Sequence, residues 1–174
     1  MSASAADAIG TLSRVIADFP SPGIQFVDLT PVLADADALA AVSTALVEPF
    51  AGQVDYIAGV EARGFAFAAA AAAANGLGVV LIRKAGKLPG ERIAESYALE
   101  YGEATLEVHT DQVPAGSRVL LVDDVLATGG TLGAAASLIE RAGWTVAGIS
   151  VVLEIPALGG RAALGREVHA LSTY

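Results

Sequence analysis

The segment from Arg118 to Thr131 constrains the fold of this chain more than any other part of its sequence. It begins with an apolar run, Val119 to Val122, which predicts a buried strand of a parallel sheet. We expect that strand to end at two adjacent acids, Asp123 and Asp124. A helix is predicted for the Ala/Leu-rich stretch from Leu132 to Arg141. The segment therefore predicts a strand, a tight loop and a helix in direct succession.

The loop between this strand and this helix favours an anionic ligand. Unpaired backbone N–H groups and the helix dipole attract a phosphate to a helix N-terminus. Carboxylates beside a phosphate indicate a ribose phosphate, although Asp123 and Asp124 could instead only cap the turn that the glycines close. The loop is not a Walker A sequence, since no Gly-Lys-Ser/Thr follows. Its residues are Ala127, Thr128, Gly129, Gly130 and Thr131.

Composition limits the classes of function. With 174 residues, 54% of them hydrophobic and 17% charged, the chain is expected to form one compact domain, residues 1–174. A net charge of −9 argues against nucleic acid and anionic membranes as partners. The chain has no cysteine and two histidines, which excludes thiolate ligands and a histidine cluster. Any metal ion is therefore expected to be bound by oxygen.

One uncharged stretch has the length of a membrane span. Residues Gly64 to Ile82 carry no charge over about the length of a spanning helix. They are mostly alanine in their first half and are interrupted at Asn75-Gly76-Leu77-Gly78, which indicates a helix stop followed by a strand. We therefore predict a buried helix and a buried strand. The N-terminal residues do not resemble a signal peptide, and a cytoplasmic location is expected.

Strand-like and helical segments alternate along the chain. This order predicts an α/β fold with a mainly parallel central sheet flanked by helices. A loop is predicted for residues 19–31, and a projecting hairpin that could act as a lid for about 85–110, with strands at 96–101 and 105–109. The predicted helices are about 2–17, 35–50, 65–75 and 132–142, and the predicted strands of the sheet are 55–60, 79–84, 118–122 and 146–153.

Unusual residues follow three of the predicted strands. Arg63 follows the first, Arg83, Lys84 and Lys87 lie at and after the second, and the acid pair follows the third. Ligands of parallel sheets bind at the carboxyl ends of the strands, so these cations indicate a polyanion. The alternative is that Arg83, Lys84 and Lys87 form an ordinary solvated turn.

Five segments resemble the type I phosphoribosyltransferase family, in the family's order and over nearly the whole chain. They are FPSPGIQFVDLTPVL, DYIAGVEARGFAF, VVLIRKAGKLPG, ESYALEYG and the Asp-Asp loop. The third and fourth are similar to members that use adenine rather than orotate, hypoxanthine or uracil. The resemblance implies the type I phosphoribosyltransferase fold, with a flexible hairpin lid. It also implies purine salvage by transfer of the phosphoribosyl group from phosphoribosyl pyrophosphate to adenine, giving AMP and pyrophosphate, with Mg²⁺ as cofactor and a homodimer as the assembly.

The resemblance also implies a role for each candidate site residue. Catalysis is assigned to Glu100, Arg63 and Tyr101, with Glu100 donating a proton to N7 of adenine and Tyr101 covering the ribose and pyrophosphate. Periodicity alone would make Glu100 a solvent-facing strand residue. No dedicated protein site for the metal is expected, with Asp123 or Asp124 as candidate contacts through water. The other implied contacts are Arg63, Lys84 and Lys87 for pyrophosphate, Asp123 and Asp124 for the ribose hydroxyls, Ala127, Thr128, Gly129, Gly130 and Thr131 for the 5′-phosphate, and Phe26, Val27 and Val125 for adenine.

Two alternatives to this function remain open at the level of sequence. One is a phosphoribosyltransferase for another purine base. The other is a regulator that binds phosphoribosyl pyrophosphate without turnover, although such a regulator normally adds a basic DNA-binding module, for which this acidic chain leaves no room. Val27 departs from the Arg or Lys that is frequent in the family, which would matter if that charge orders the lid or a partner subunit.

Overall fold

The computed structural model describes residues 4–19, 21–99 and 102–174. Among these residues, seven strands form one sheet in the order β5-β6-β4-β3-β7-β8-β9, and two form a separate hairpin, β1-β2. The strands are β1 (Arg14–Ala17), β2 (Gln25–Asp28), β3 (Tyr56–Val60), β4 (Gly78–Lys84), β5 (Ile93–Ala98), β6 (Glu103–Val108), β7 (Arg118–Leu126), β8 (Thr145–Glu154) and β9 (His169–Thr173). The helices are α1 (Ala5–Leu12), α2 (Thr30–Ala34), α3 (Ala36–Val47), α4 (Arg63–Asn75), α5 (Gly130–Arg141) and α6 (Gly160–Leu164).

The sheet is mainly parallel, as predicted. Strand β3 pairs in parallel with β4 and β7, and β8 pairs in parallel with β7 and β9. Strand β6 is antiparallel to both β4 and β5. The predicted α/β class and the four predicted sheet strands are therefore confirmed.

Apolar side chains cover both faces of the sheet. Successive residues of a strand point to opposite faces, so Leu120 packs in the cluster that contains α3 and α4 residues, and Leu121 packs in the cluster that contains α5 residues. Both side chains are fully buried. This two-sided burial explains why the strands are continuous apolar runs instead of alternating ones.

Helix α4 lies very close to the sheet. A Cβ atom at Gly59 of β3 would lie 2.7 Å from the Cβ of Ala68, so the close approach requires glycine on the strand and a small residue on the helix. The alanine-rich stretch that resembled a membrane span is this helix, which ends at Asn75 and is capped by Gly76 with φ 66°. No helix among the described residues is long and apolar enough to cross a membrane.

The prediction for the N-terminal region was wrong in part. The predicted helix over 2–17 ends at Leu12, and Arg14–Ala17 forms β1 instead. The predicted loop over 19–31 contains β2 and the start of α2. β1 and β2 pair with each other. Because each strand is stabilised by a partner elsewhere in the chain, neither has a local sequence pattern from which it could be predicted.

Strand β7 is longer than predicted. It does not end before the acids but continues to Leu126, because β8 pairs alongside it and places Asp123 opposite Val151 and Val125 opposite Leu153. Helix α5 begins at Gly130, so the loop between them is shorter than predicted. Strand β9, which was not predicted, pairs with the outer edge of β8.

The predicted hairpin forms and extends one edge of the sheet. Its strands are β5 and β6, and β6 pairs with β4 at Arg83 and Lys84. Strand β5 lies beside α5, where the Arg141 guanidinium donates to the Ala94 carbonyl at 2.8 Å. The tip that contains Glu100 and Tyr101 lies outside the described residues, and the role of this hairpin as a lid stays a prediction.

Candidate active site

A cavity of about 560 Å³ opens where the carboxyl ends of β3, β4, β7 and β8 meet. This is the position at which open parallel sheets bind their ligands. The cavity is lined by Ile24, Gln25, Phe26, Val27, Glu61, Ala62, Arg63, Lys84, Tyr97, Asp123, Asp124, Val125, Leu126, Ala127, Thr128, Gly129, Thr131, Leu132, Ile155 and Leu158.

Two buried acids form the floor of the cavity. Asp123 and Asp124 are each 8% exposed. Asp123 Oδ1 accepts a hydrogen bond from the Asp124 N–H at 2.8 Å. Burial raises the pKa of Asp123 well above its usual range, and the adjacent Asp124 carboxylate raises it further. Asp123 therefore resists ionisation until a ligand supplies further hydrogen bonds or a further cation.

Arg63, the first residue of α4, lies between the acids and an aromatic ring. Its Nε contacts Asp124 Oδ2, and its guanidinium carbon lies 4.9 Å from the centroid of the Phe26 ring. The next residue, Gly64, packs directly on the acids, since a Cβ there would lie 2.7 Å from Asp123 Oδ1. The turn after β3 thus sets the position of a cation against the acid pair.

The loop after β7 is shaped to hold an anion at the start of α5. Gly129 precedes the helix with φ 88°, and no side chain caps the free N–H groups of the first turn. A Cβ at Gly129 would lie 2.7 Å from the Gly160 carbonyl oxygen, which explains the glycine. Thr131 donates from its hydroxyl to the Tyr97 hydroxyl at 3.1 Å and so links α5 to the hairpin.

The opposite wall carries cations together with an acid. Lys84 lines the cavity. Glu61 lies between the basic residues: its Oε2 accepts from the Lys84 N–H at 2.9 Å, and its Oε1 accepts from Lys87 Nζ at 2.6 Å. Arg83 Nε lies 3.4 Å from Glu61 Oε2. The hydrogen bond from Lys87 is the largest of several contacts that lower the pKa of Glu61 to about 2.

The third wall is apolar. Phe26 and Val27 come from β2, Val125 comes from β7, and Ile155 and Leu158 come from the segment after β8. Phe26 also packs edge-on against Phe19, with ring centroids 5.2 Å apart. A flat apolar ligand fits a wall of this kind because burial and stacking supply its affinity.

Known proteins are similar to this chain in sequence and in fold. The phosphoribosyl transferase domain model matches residues 28–162. The chain is 63% identical over 164 residues to the adenine phosphoribosyltransferase of Arthrobacter sp. (strain FB24). This alignment covers 94% of this chain and 89% of that protein. The chain belongs to the adenine phosphoribosyltransferase family.

Solved structures of the family have the same fold. The crystal structure of adenine phosphoribosyltransferase from Thermoanaerobacter pseudethanolicus is 45% identical, with a TM-score of 0.90 over 95% of this chain and 98% of that chain. The enzyme from Saccharomyces cerevisiae, complexed with D-2,5-dideoxy-2,5-imino-altritol 1,6-bisphosphate and adenine, is 38% identical, with a TM-score of 0.90 over 96% and 98%. The type I phosphoribosyltransferase fold predicted from the sequence is therefore confirmed.

Most of the predicted site residues converge on the cavity. Of the predicted site residues that the structure describes, Lys87 and Gly130 do not line it. Lys87 is paired with Glu61, and Gly130 lies under the Tyr97 ring. Glu100 and Tyr101 lie outside the described residues. The cavity-lining residues that the sequence predicted are Phe26, Val27, Arg63, Lys84, Asp123, Asp124, Val125, Ala127, Thr128, Gly129 and Thr131.

Nine residues that line the cavity were not among the predicted site residues: Ile24, Gln25, Glu61, Ala62, Tyr97, Leu126, Leu132, Ile155 and Leu158. Tyr97 was assigned only to a strand of the hairpin, and the segment that carries Ile155 and Leu158 was not considered. That segment follows β8, whose carboxyl end lies beside the end of β7. A signal was available, because every parallel strand of a sheet delivers its carboxyl end to the same edge.

The acid pair has the chemistry to contact Mg²⁺. This hard ion takes oxygen ligands and usually keeps several waters, so two carboxylates suit it. No group of three or more His, Cys, Asp or Glu residues that could hold a metal ion occurs in the part of the chain that the structure describes. Asp124 Oδ2 already contacts Arg63 Nε, so an ion brought by a substrate would share this carboxylate with the guanidinium.

Proposed function

We propose that the protein transfers the phosphoribosyl group of phosphoribosyl pyrophosphate to adenine, giving AMP and pyrophosphate in purine salvage. The observation that carries this proposal is one cavity with three chemically distinct walls. It combines a buried acid pair beside an uncapped helix start, cations after β3 and β4, and an apolar wall. Membership of the adenine phosphoribosyltransferase family supports the same reaction.

The phosphate and ribose parts of the substrate fit along β7 and α5. The 5′-phosphate binds the backbone N–H groups of residues 127–131, where the partial positive charge of α5 favours an anion. Asp123 and Asp124 accept hydrogen bonds from the ribose 2′- and 3′-hydroxyls. Breaking the anomeric C–O bond builds positive charge on the ribose, so carboxylates already fixed nearby stabilise the transition state.

The pyrophosphate is placed on the cationic wall. Arg63, Lys84 and Lys87 bind its oxygens, and their charges offset the negative charge that grows on the leaving group. Bound Mg²⁺ would supply further neutralisation of pyrophosphate and ribose oxygens, with Asp123 or Asp124 as water-mediated contacts. The residues that would hold the ion are therefore the same acids that hold the ribose.

Adenine is placed against the apolar wall. Phe26 stacks on the base, and Val27 and Val125 bury its edges. N9 of adenine then forms a bond to the anomeric carbon as pyrophosphate departs with the electron pair, and the imidazole N–H proton that adenine loses passes to the departing pyrophosphate or to water. Glu100 as the proton donor to N7, and Tyr101 as the cover of the ribose and pyrophosphate, stay predictions from the family resemblance.

Nucleotide formation tests the function directly. Purified protein is incubated with Mg²⁺, phosphoribosyl pyrophosphate and one base at a time. We expect AMP from adenine and negligible GMP, IMP or UMP from guanine, hypoxanthine or uracil. Equal use of guanine would overturn the assignment of adenine. Binding of phosphoribosyl pyrophosphate without any nucleotide product would instead indicate the sensing regulator.

We also propose that the protein is a homodimer in the cytoplasm. The assembly is supported by apolar side chains that stay open on strands of the sheet, since Val79 and Leu81 are each 38% exposed. Sedimentation equilibrium is expected to give twice the chain mass of 17.5 kDa. A mass of one chain at micromolar concentration would contradict the dimer.

A further inference from the structure

Glu61 is an unusual residue for a wall that binds an anion. It lines the cavity beside Lys84 and Arg63, and only 8% of its side chain is exposed. A carboxylate at this place repels a pyrophosphate group, so it needs a function that offsets the repulsion. Its contacts suggest that function.

The contacts of Glu61 hold a cation back from the cavity. Lys87 Nζ donates to Glu61 Oε1 at 2.6 Å, and Lys87 is not among the described residues that line the cavity. The Arg83 guanidinium donates to the Lys87 carbonyl at 3.4 Å and to Glu61 Oε2 at 3.4 Å, which closes the turn around the ion pair. Half of the Lys87 side chain is exposed, so its ammonium has room to turn towards a ligand.

We propose that Glu61 is a positioning residue that binds Lys87 while the pyrophosphate site is empty and competes with pyrophosphate for the Lys87 ammonium. This inference rests on the proposed function, because it assigns pyrophosphate to this wall. The charges of the cavity agree with it. The described residues that line the cavity include the acids Glu61, Asp123 and Asp124 but only Arg63 and Lys84 as cations, so the missing positive charge is the one that Glu61 holds.

Protonation of Glu61 cannot release Lys87 near neutral pH. The hydrogen bonds from Lys87, Lys84 and Arg83 lower the pKa of Glu61 to about 2, so the carboxylate stays charged. Only a stronger anion can take the ammonium, and a pyrophosphate group carries more charge than one carboxylate. When pyrophosphate leaves, Lys87 returns to Glu61, which limits the affinity for this product.

A matched control lies on the neighbouring strand. Glu107 is also nearly buried, with 7% of its side chain exposed, and it accepts from Arg92 Nε at 3.0 Å and from the Gly86 N–H at 3.1 Å. Glu61 differs in that it accepts from two cations, Lys87 and Arg83. Glu107 does not line the active-site cavity formed by the described residues. Glu107→Gln removes a buried ion pair in the same region without removing a partner of the Lys87 ammonium, and the glutamine keeps an oxygen that can accept from the Gly86 N–H.

The test is the affinity for inorganic pyrophosphate with Mg²⁺, measured by titration calorimetry without turnover. We expect Glu61→Gln to bind pyrophosphate roughly two- to fivefold more tightly, the gain from an ion pair that no longer has to be broken. Glutamine still accepts from the Lys84 N–H, so the turn is retained. Glu107→Gln is expected to leave the affinity for pyrophosphate unchanged. When Glu61→Gln is combined with Lys87→Met, we expect the roughly two- to fivefold gain in affinity to disappear, because the released ammonium is absent.

An unchanged or weaker affinity in Glu61→Gln would overturn the inference. If that variant does not fold, Glu61→Asp serves instead, because its carboxylate is one methylene further from Lys87 and a smaller gain is expected. An unchanged or weaker affinity in Glu61→Asp has the same meaning. Because calorimetry needs no adenine, an inactive protein whose Glu61→Gln variant binds pyrophosphate more tightly would contradict the proposed function alone.

Discussion

At the scale of single residues, the acids of this protein have different tasks that their surroundings decide. Asp123 is buried beside Asp124, which raises its pKa, whereas Glu61 is buried among cations, which lower its pKa to about 2. Asp123 therefore gains most from the hydrogen bonds or positive charge that a ligand brings. Glu61 is already paired with the cations around it. Residue type and spacing in the sequence showed the acid pair but gave Glu61 no distinct role, because its partners Lys84 and Lys87 come from another part of the chain.

The residue Glu100 carries the most specific catalytic prediction. We expect Glu100→Gln to keep the affinity for phosphoribosyl pyrophosphate and to lower kcat by roughly 10²- to 10⁴-fold, the usual contribution of general acid catalysis. Glu103→Gln is the control, since Glu103 is an exposed residue at the start of β6. Steady-state kinetics would show the difference. Equal kcat values for Glu100→Gln and the unchanged protein would mean that the proton donor lies elsewhere.

At the scale of elements, the segment after β8 is a structural part of the active site. Gly160 packs on the loop between β7 and α5 so closely that a Cβ there would lie 2.2 Å from the Ala127 carbonyl oxygen. Arg161 holds this segment in place: its Nε donates to Glu154 Oε1 at 3.1 Å, and its Nη1 donates to the Val168 carbonyl at 2.8 Å. Helix α6 therefore packs behind the loop between β7 and α5 and supports it.

Arg161→Met tests this support. The change leaves Glu154, whose side chain is 9% exposed, without its cation. We expect a loss of about 1–3 kcal/mol of unfolding free energy, together with a higher KM for phosphoribosyl pyrophosphate. Denaturant unfolding and steady-state kinetics measure the two effects.

The control for Arg161→Met is Arg166→Met, which breaks a pair with Glu140 in which both side chains are at least 40% exposed. That change is expected to cost about 0–1 kcal/mol. If Arg161→Met were no more destabilising than Arg166→Met, with an unchanged KM, helix α6 would have no supporting role.

The elements that were predicted well are those with a local signature. Strands β3, β4, β7 and β8 are apolar runs, and Asp35 begins α3 by accepting from the Ala38 N–H at 2.9 Å. The elements that were missed depend on a distant partner: β1 on β2, and β9 on β8. The same reason explains why Tyr97 was not predicted for the cavity, since its place in the wall is set by tertiary packing.

At the scale of the whole molecule, ion pairs of buried acids make stability depend on pH. Besides Glu61, the pKa values of Glu107 and Glu154 are lowered, in each case chiefly by a hydrogen bond from an arginine. A lowered pKa in the folded state gives stability that is complete above the unfolded value of about 4.5 and is lost as the pH falls through the folded value. The contribution of Asp123 to the pH dependence of stability has the opposite sign, because its raised pKa favours the folded protein at low pH.

We therefore expect the melting temperature to fall steadily between pH 5 and pH 3 (about the range in which unfolded carboxyl groups take up protons). Glu107→Gln removes one of the groups responsible, so its melting temperature should be lower at neutral pH but should fall less in that range. Circular dichroism melts at pH 7, 5, 4 and 3 compare the two proteins. Parallel curves for both would show that the pair of Glu107 and Arg92 does not contribute.

The close seating of α4 on the sheet has a consequence for how this catalyst can evolve. Gly59 and Ala68 are both fully covered, and they set the height of the helix that begins with Arg63. A larger side chain at either position would lift the cation away from Asp124 while every reactive group stayed chemically intact. Substitutions at these two buried positions, which do not contact the substrate, are therefore expected to abolish turnover. Selection on the active site extends to the residues that set the spacing between α4 and β3.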